Sequence, residues 1–174
     1  MPLHDGLIPG CPVPPLQVEL VGGGIWRLAE ERPERFSMIV FYRGRHCHVC
    51  SNYLAELESK LDEFSRRGVN VVAISCDTGE RAAAARQDWK LGRLRIGHSL
   101  DLAYGRDWGL YITEGKYITR NGLREPDLFT EPALYLIDPS GKLYFGVVQT
   151  MPFARPHFTD LLYAVDFAID KSYP

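Results

Sequence analysis

The amino-acid sequence predicts an α/β fold, with a mixed central sheet and helices on both faces. Two apolar runs, Ser37–Tyr42 and Val69–Ser75, flank a segment (51–68) in which leucines recur at helical spacing. Strand, helix and strand in this order are typical of a right-handed parallel crossover. A second pair of strands, Ala133–Ile137 and Leu143–Val148, is joined by a short turn and predicts an antiparallel hairpin. The sheet is therefore expected to contain both parallel and antiparallel strands.

The remaining elements follow in order along a chain that we expect to form one domain over residues 1–174. Near the N-terminus, Gln17–Val21 alternates polar and apolar residues, and the glycines at 22–24 turn it back into a β-hairpin. Three more helices are predicted from composition and apolar spacing: Gly79–Leu91, Leu102–Trp108 and His157–Ile169. Residues 109–131 are irregular, and they are expected to form a long loop along one wall of the substrate site.

Composition narrows the function classes. The 174 residues are 45% hydrophobic and 24% charged, and the formal net charge of −2 gives no reason to expect nucleic acid or an anionic membrane as a partner. No apolar run approaches the roughly 20 residues of a membrane span, and the N-terminus lacks the pattern of a signal peptide. The expected compartment is a reducing cytoplasm, where a cysteine pair is more often catalytic or metal-binding than a structural disulfide.

The segment 41–50, FYRGRHCHVC, carries the strongest functional signal. Its cysteines, Cys47 and Cys50, lie where the first central strand is expected to end and its helix to begin. The N-terminus of a helix favours a thiolate, so at least one of these thiols should ionise readily. Cysteines two residues apart can also cycle between dithiol and disulfide. Four nearby side chains are positively charged or can accept a proton: Arg43, Arg45, His46 and His48.

Two other uses of the cysteine pair remain open, a structural disulfide and a metal site. A closed zinc site usually draws its second pair of ligands from a separate segment at similar spacing. The other cysteines and histidines stand alone along the chain: Cys11, Cys76, His4, His98 and His157. A redox centre is therefore the favoured interpretation, and no resident metal is expected.

The pair and its surroundings resemble a known family. FYRGRHCHVC after one strand, VVAISCDTGE on the next, EPALYLIDPSGKLYF and MPFARP are together similar to the peroxiredoxin-like branch of the thioredoxin superfamily. This branch is the alkyl hydroperoxide reductase/thiol-specific antioxidant family. The resemblance implies a thioredoxin-like fold and an antioxidant enzyme that needs no bound cofactor. Its electrons would come from a thioredoxin, glutaredoxin or glutathione-type donor, and a homodimer is compatible with the sequence.

Peroxiredoxins of this family carry Pro-x-x-x-Thr-x-x-Cys, in which the last cysteine attacks the peroxide. The resemblance places Cys50 at that position, with Cys47 in place of Thr and Arg43 in place of Pro. The family arginine that precedes the ALYLI strand is missing, because Glu131 and Pro132 stand there. Three arginines are candidates to bind the substrate instead: Arg43, Arg45 and Arg155. In this chemistry Cys50 would form the sulfenic acid and Cys47 would condense with it.

Thioredoxin-type disulfide oxidoreductases instead combine Cys-x-x-Cys with a cis-proline that leads into the same strand. Cys47, Cys50 and Pro132 match these positions, so a cis bond before Pro132 is expected and its backbone would dock a substrate disulfide. Here Cys47 would attack and Cys50 would resolve the mixed disulfide. Peroxide reduction is the first prediction and disulfide exchange the alternative. A non-enzymatic metal-binding protein on the same fold is a further alternative.

Overall fold

The computed structural model describes residues 6–173, so His4 lies outside the described residues. The strands are β1 (Gln17–Leu20), β2 (Ile25–Arg27), β3 (Phe36–Phe41), β4 (Val69–Ile74), β5 (Arg95–His98), β6 (Ile112–Glu114), β7 (Leu128–Thr130), β8 (Ala133–Ile137) and β9 (Leu143–Val148). The helices are α1 (His48–Arg66), α2 (Gly79–Asp88), α3 (Leu102–Asp107) and α4 (Phe158–Lys171), with a 3-10 turn at Leu28–Glu30. No helix in the described range is long and apolar enough to cross a bilayer.

Seven strands form one mixed sheet in the order β2-β1-β5-β4-β3-β8-β9. The three middle strands β5, β4 and β3 run parallel, while β8 pairs antiparallel with β3 and β9 antiparallel with β8. On the other side, β1 pairs antiparallel with β5 and with β2. The predicted crossover, C-terminal hairpin and N-terminal hairpin are therefore confirmed.

Helices cover both faces of this sheet, as predicted. On one face, α1 buries residues at helical spacing, among them Leu54, Leu57 and Phe64, and α4 packs beside it through Phe158. The opposite face is covered by α3 and the residues that flank it, including the fully buried Trp108 at its C-cap, and by Leu16 in the segment before β1. Every residue of β3 is buried, because it lies in the middle of the sheet between these two layers.

One strand was not predicted from the sequence, and the prediction for residues 109–131 was wrong in detail. Strand β5 was missed, because its four residues, RIGH, include an arginine and a glycine and show no apolar run. The segment 109–131 is not a featureless loop: β6 and β7 pair antiparallel within it, and Ile118 forms a bridge with Arg124 nearer its tip. Strands of three residues that pair with each other need no long apolar run, so the sequence pattern did not reveal them.

Candidate active site

The turn between β3 and α1 places the cysteine pair at the carboxyl edge of the sheet. Gly44 adopts φ +127°, and a Cβ there would lie 2.7 Å from the Asp77 carboxylate, so only glycine fits this turn. The same carboxylate, three residues beyond β4, accepts a 2.6 Å hydrogen bond from the backbone N–H of Arg45. A further hydrogen bond from the Cys47 N–H to the Gly44 carbonyl closes the turn. As a result Cys47 becomes the N-cap residue of α1.

The two thiols are free, and their pKa values are shifted in opposite directions. The backbone N–H of Cys50 donates to Cys47 Sγ over 3.3 Å, as an N-cap geometry allows. The pKa of Cys47 is lowered to about 6 by the neighbouring Cys50 thiol, by this N–H and by the charges of Arg155 and Arg43. Burial and the adjacent Cys47 sulfur raise the pKa of Cys50, which has no exposed surface. The thiolate of the pair therefore resides on Cys47.

Arg155 reaches the pair from the segment before α4. Its Nη2 donates to Cys50 Sγ over 3.0 Å, and its Nε donates to the Pro152 carbonyl over 2.9 Å. The guanidinium lies 4.9 Å above the ring of Tyr53, a cation–π arrangement. The Tyr53 hydroxyl in turn donates to the Pro156 carbonyl over 2.7 Å. Tyr53, one helical turn beyond Cys50, thus fixes the segment that carries the arginine.

Arg43 forms its ion pairs with glutamates of the 109–131 segment. Its Nε lies 3.1 Å from a Glu131 carboxylate oxygen and its Nη2 lies 3.7 Å from Glu125, and both glutamates are buried. Its guanidinium also stacks 4.7 Å above the ring of Phe129. Glu125 accepts hydrogen bonds from the backbone N–H groups of residues 116 and 117. Arg43 therefore fastens the 109–131 segment to the cysteine turn.

The two histidines of the motif occupy different environments. His46 is 1% exposed, its ring meets Phe129 at 4.7 Å, and within residues 6–173 neither ring nitrogen has a hydrogen-bond partner. Burial, together with the charge of Arg43, lowers the pKa of His46 to about 4. His46 therefore brings a neutral ring to the cysteine pair, whereas His48 is exposed on the first turn of α1. The thiolate-tuning role expected of both histidines stays a prediction.

The contacts of Arg45 and Pro132 are with residues other than the two cysteines. Arg45 forms an ion pair with Asp88 at the end of α2, at 2.8 Å. Pro132 is buried just before β8, and its carbonyl accepts a hydrogen bond from the Gln149 N–H. The expected cis bond was wrong: residues 6–173 contain no cis peptide bond. The bond before Pro132 is therefore trans, and the Glu131 N–H that precedes it donates to the Tyr111 carbonyl.

A cleft of about 680 Å³ opens beside Cys47. The turn and α1 provide one wall, the tip of the 109–131 segment provides another, and the segment before α4 closes the end. Its lining residues are Arg43, His46, Cys47, His48, Val49, Tyr117, Ile118, Thr119, Arg120, Asn121, Pro152 and Phe153. Cys50 does not line it. Within residues 6–173, no three His, Cys, Asp or Glu side chains are arranged to hold a metal ion.

Sequence reasoning missed two functional neighbours of the cysteines. Tyr53 follows Cys50 by three residues on the predicted helix, so its helical spacing was the signal that could have identified it. Glu125 carried no such signal, because only the folded 109–131 segment brings it to Arg43.

Comparisons with known proteins agree with this architecture. The model of the AhpC/TSA family matches residues 9–145. Among solved structures, a cysteine-to-serine mutant of peroxiredoxin 6 of Arenicola marina is similar with a TM-score of 0.79 and 17% identity, over 97% of this chain and 76% of that one. A reduced 2-Cys peroxiredoxin of Plasmodium vivax gives 0.74 and 18%, over 94% and 83%. Peroxidoxin BcpB of Mycobacterium tuberculosis gives 0.72 and 16%, over 94% and 98%. No curated protein sequence matches the chain.

The fold and the family match define the class of this protein. The mixed sheet with helices on both faces is the thioredoxin-like fold of peroxiredoxins, as predicted. The chain belongs to the AhpC/TSA family, and it is a thiol-dependent oxidoreductase.

Proposed function

We propose that this protein reduces peroxides with Cys47 as the attacking thiolate and Cys50 as the resolving thiol. The observation that carries the proposal is the position of Cys47: it caps α1, lines the cleft and has a pKa lowered to about 6. With a lowered pKa, more of the Cys47 thiol is present as thiolate at pH 7 than for an ordinary cysteine, which is ionised by only a few per cent. Cys47 is 4% exposed, whereas Cys50, behind it, has no exposed surface from which to meet a peroxide.

The proposed reaction has two steps. The Cys47 thiolate attacks the terminal oxygen of R–O–O–H, so that an S–O bond forms and the O–O bond breaks. The released alkoxide, or hydroxide from hydrogen peroxide, takes a proton from water, and Cys47 becomes a sulfenic acid. Cys50 then attacks the Cys47 sulfur, its proton leaves with the hydroxide as water, and a disulfide remains. Each cycle thus moves two electrons from the dithiol to the peroxide.

Arg155 serves the second step in this scheme. Its hydrogen bond to Cys50 Sγ at 3.0 Å favours the thiolate of Cys50 once the negative charge of Cys47 has been consumed. An external dithiol or two thiols then reduce the disulfide by exchange. We expect a thioredoxin, glutaredoxin or glutathione-type donor in a reducing cytoplasm, and a homodimer is the assembly to test.

Disulfide exchange is the second candidate function. It is favoured by the same observation, because an acidic, N-capping Cys47 in front of a buried Cys50 also suits attack on a disulfide. Both candidate reactions start at the Cys47 thiolate. They differ in the substrate that it attacks, a peroxide or a disulfide, and not in the site.

The test uses fully reduced protein under anaerobic conditions with one equivalent of hydrogen peroxide. Thiol loss is followed in time, and the oxidised cysteines are mapped by mass spectrometry. We expect loss far faster than for free cysteine, ending in a Cys47–Cys50 disulfide. The Cys50→Ser variant should still oxidise rapidly and yield a trapped sulfenic acid at Cys47, whereas Cys47→Ser should react at the rate of a free thiol.

Two results would contradict the proposal. Rapid oxidation of Cys47→Ser together with a slow Cys50→Ser variant would assign the attack to Cys50, as the family pattern implies. Oxidation of the unmodified protein at the free-thiol rate would reject peroxide as the substrate. Reduction of insulin disulfides by the same preparation would then support disulfide exchange as the function.

A further inference from the structure

We infer that Asp77 is a positioning residue for Cys47: its buried carboxylate holds the turn between β3 and α1 in the shape that makes Cys47 the N-cap residue of α1. The inference rests on the proposed function, because Cys47 is the cysteine that would attack the peroxide. Asp77 is not among the described residues that line the cleft. It therefore acts on the reaction through the position of Cys47 and not by contact with the substrate.

The carboxylate of Asp77 is buried together with its charge. Its side chain has no exposed surface, although it lies three residues beyond β4, where the chain leaves the sheet. A buried aspartate is nearly always paired and hydrogen-bonded, because an isolated charge is costly to remove from water. Here Arg81 Nε donates to one carboxylate oxygen over 3.0 Å, and the backbone N–H of Arg45 donates to the other over 2.6 Å. Each oxygen thus has a donor of its own.

The cysteine turn packs directly against this carboxylate. A Cβ at Gly44 would lie 2.7 to 2.9 Å from the two oxygens and the carbon of the Asp77 carboxylate, so Gly44 packs against it. The next N–H along the chain, that of Arg45, is hydrogen-bonded to it. The Gly44 carbonyl in turn accepts a hydrogen bond from the Cys47 N–H over 3.0 Å. The residue that binds the Cys47 backbone and the residue after it are therefore both held by Asp77.

Asp77 is itself fixed in the fold. Its N–H donates to Ser75 Oγ over 3.3 Å, and its carbonyl accepts a hydrogen bond from the Ser99 N–H over 2.7 Å. Its partner Arg81 lies in the first turn of α2, a helix that is capped by Thr78. The carboxylate is therefore tied to the ends of β4 and β5 and to the start of α2, and it provides a rigid support for the turn.

The position of Cys47 determines its acidity. Its pKa is lowered to about 6 by the Cys50 thiol, by the Cys50 N–H, which donates to Cys47 Sγ over 3.3 Å, and by two arginine charges. The charged or titratable groups around Cys47 come from the turn, from α1 and from the segment before α4: Arg43, His46, His48, Cys50 and Arg155. Hydrogen bonds and charge effects both weaken when the sulfur moves away. We therefore expect loss of the support by Asp77 to raise the pKa of Cys47.

The experiment measures the pH dependence of iodoacetamide alkylation at Cys47, read by peptide mapping, in the Asp77→Ala variant. Loss of the support should raise the midpoint by about one pH unit or more. The direction of the shift separates two causes, because removal of a negative charge near a thiol would by itself lower the pKa of that thiol. A downward shift, or no shift, would overturn the inference.

Asp77→Asn is a second variant, of the same shape, for the case in which Asp77→Ala does not fold. Its amide has one acceptor oxygen, so the NH₂ group must face one of the two donors, Arg81 or the Arg45 N–H. We expect a smaller upward shift. In the double variant Asp77→Asn/Arg81→Gln the amide oxygen is free to accept from the Arg45 N–H, and the midpoint should return toward that of the unmodified protein. An unshifted single variant, or a double variant without recovery, would contradict the role of this hydrogen bond.

Glu31→Gln is the matched control. The Glu31 side chain is 11% exposed, and it pairs with Arg95 at 2.7 Å. It lies at the opposite edge of the sheet, where Asn70 at the start of β4 donates to it over 3.0 Å. We expect Glu31→Gln to lower the urea midpoint of unfolding and to leave the alkylation midpoint of Cys47 unchanged. Equal alkylation shifts in the Glu31 and Asp77 variants would indicate a general loosening of the fold and overturn the inference.

Oxidation by hydrogen peroxide provides the kinetic readout. The rate constant of Asp77→Ala should be roughly fivefold lower than that of the unmodified protein at about pH 6, and it should approach that value near pH 9, where Cys47 is largely ionised in both proteins. A slow rate that persists at high pH with an unshifted alkylation midpoint would overturn the inference. If peroxide oxidises neither protein faster than a free thiol, the proposed function fails, and the alkylation midpoint still tests the role of Asp77.

Discussion

The surroundings of Cys47 and of Cys50 differ although the two residues are three positions apart. Cys47 faces a cleft and receives its hydrogen bond from the backbone of its own helix. Cys50 faces the interior and receives its hydrogen bond from Arg155, more than a hundred residues later in the chain. Both residues are buried, Cys47 at 4% exposed and Cys50 at 0%, but Cys47 is the N-cap residue at the end of α1 and borders the cleft, whereas Cys50 lies inside the first turn. The Cys-x-x-Cys motif therefore identifies the two reactive cysteines, and their positions at the start of α1 indicate which one attacks and which one resolves.

The two nearby arginines differ in the same way. Arg43 is held between two buried glutamates and fixes the 109–131 segment, so its main role is structural, although its charge also lowers the pKa of Cys47. Arg155 contacts a sulfur atom and one aromatic ring, with no carboxylate among its contacts in the described residues. A guanidinium without a carboxylate partner keeps its charge available for a thiolate. The comparison predicts that loss of Arg43 damages the fold and loss of Arg155 damages the chemistry.

The largest effect is expected for Arg43→Gln. Removing this guanidinium leaves Glu125 and Glu131 buried without their partner, so the free energy of unfolding should fall by about 3–5 kcal/mol. Urea denaturation measures the change. The double variant Arg43→Gln/Glu131→Gln should recover part of the loss, and Arg27→Gln, which breaks an exposed ion pair with Glu30, should change little. A loss below about 1 kcal/mol would refute the structural role.

Arg155→Gln should leave the fold intact and slow disulfide formation. A hydrogen bond to a charged group contributes about 1.5–3 kcal/mol, so the step after the first oxidation should become roughly 10- to 150-fold slower. The measurement is the lifetime of the Cys47 sulfenic acid after one equivalent of peroxide, in single-turnover experiments. Arg45→Gln is the comparison, because Arg45 pairs with Asp88 and should matter less. Equal effects of the two variants would argue against the contact with Cys50.

The pH dependence of alkylation tests the acidity of the pair. Because the pKa of Cys47 is lowered to about 6, its thiolate forms as the pH rises through about 6, and the rate should level off above that value. An unperturbed thiol would show its rise near pH 8.5. Iodoacetamide with peptide mapping distinguishes Cys47 from Cys50, which should react more slowly throughout this range. If iodoacetamide labelled Cys50 before Cys47, the assignment of the lower pKa to Cys47 would be wrong.

The smallest effect is expected for Tyr53→Phe. The variant loses the hydrogen bond from the hydroxyl to the Pro156 carbonyl but keeps the ring beneath Arg155. The free energy of unfolding should fall by about 0.5–1.5 kcal/mol, as for one neutral hydrogen bond. Tyr163→Phe is the control, because Tyr163 is 74% exposed. A Tyr53→Phe variant indistinguishable from this control would show that the hydroxyl does not stabilise the segment before α4.

Local pattern was sufficient for most of the fold and for the identity of the reactive pair. The apolar run at β3, the helical spacing of α1 and the hairpin β8–β9 are set by residues close in sequence, so each could be predicted with its position. The same holds for Cys47 and Cys50, because a strand followed by a helix places the residues between them at the edge of a parallel sheet. The short strands β6 and β7 were not predicted, because each is stabilised by pairing with the other and the segment is fastened by the ion pair of Arg43 with Glu131.

The sequence by itself determined the α/β architecture, the family resemblance and the dithiol, because strand and helix periodicity and the spacing of two cysteines are local properties of the chain. Only the tertiary structure decided which arginine meets a sulfur. Arg43, Arg45 and Arg155 were equivalent candidates in the sequence, and the fold sends Arg43 to two glutamates, Arg45 to Asp88 and Arg155 to Cys50. The partner of a long, flexible, charged side chain depends on which segments pack around it, and that packing is a property of the whole fold.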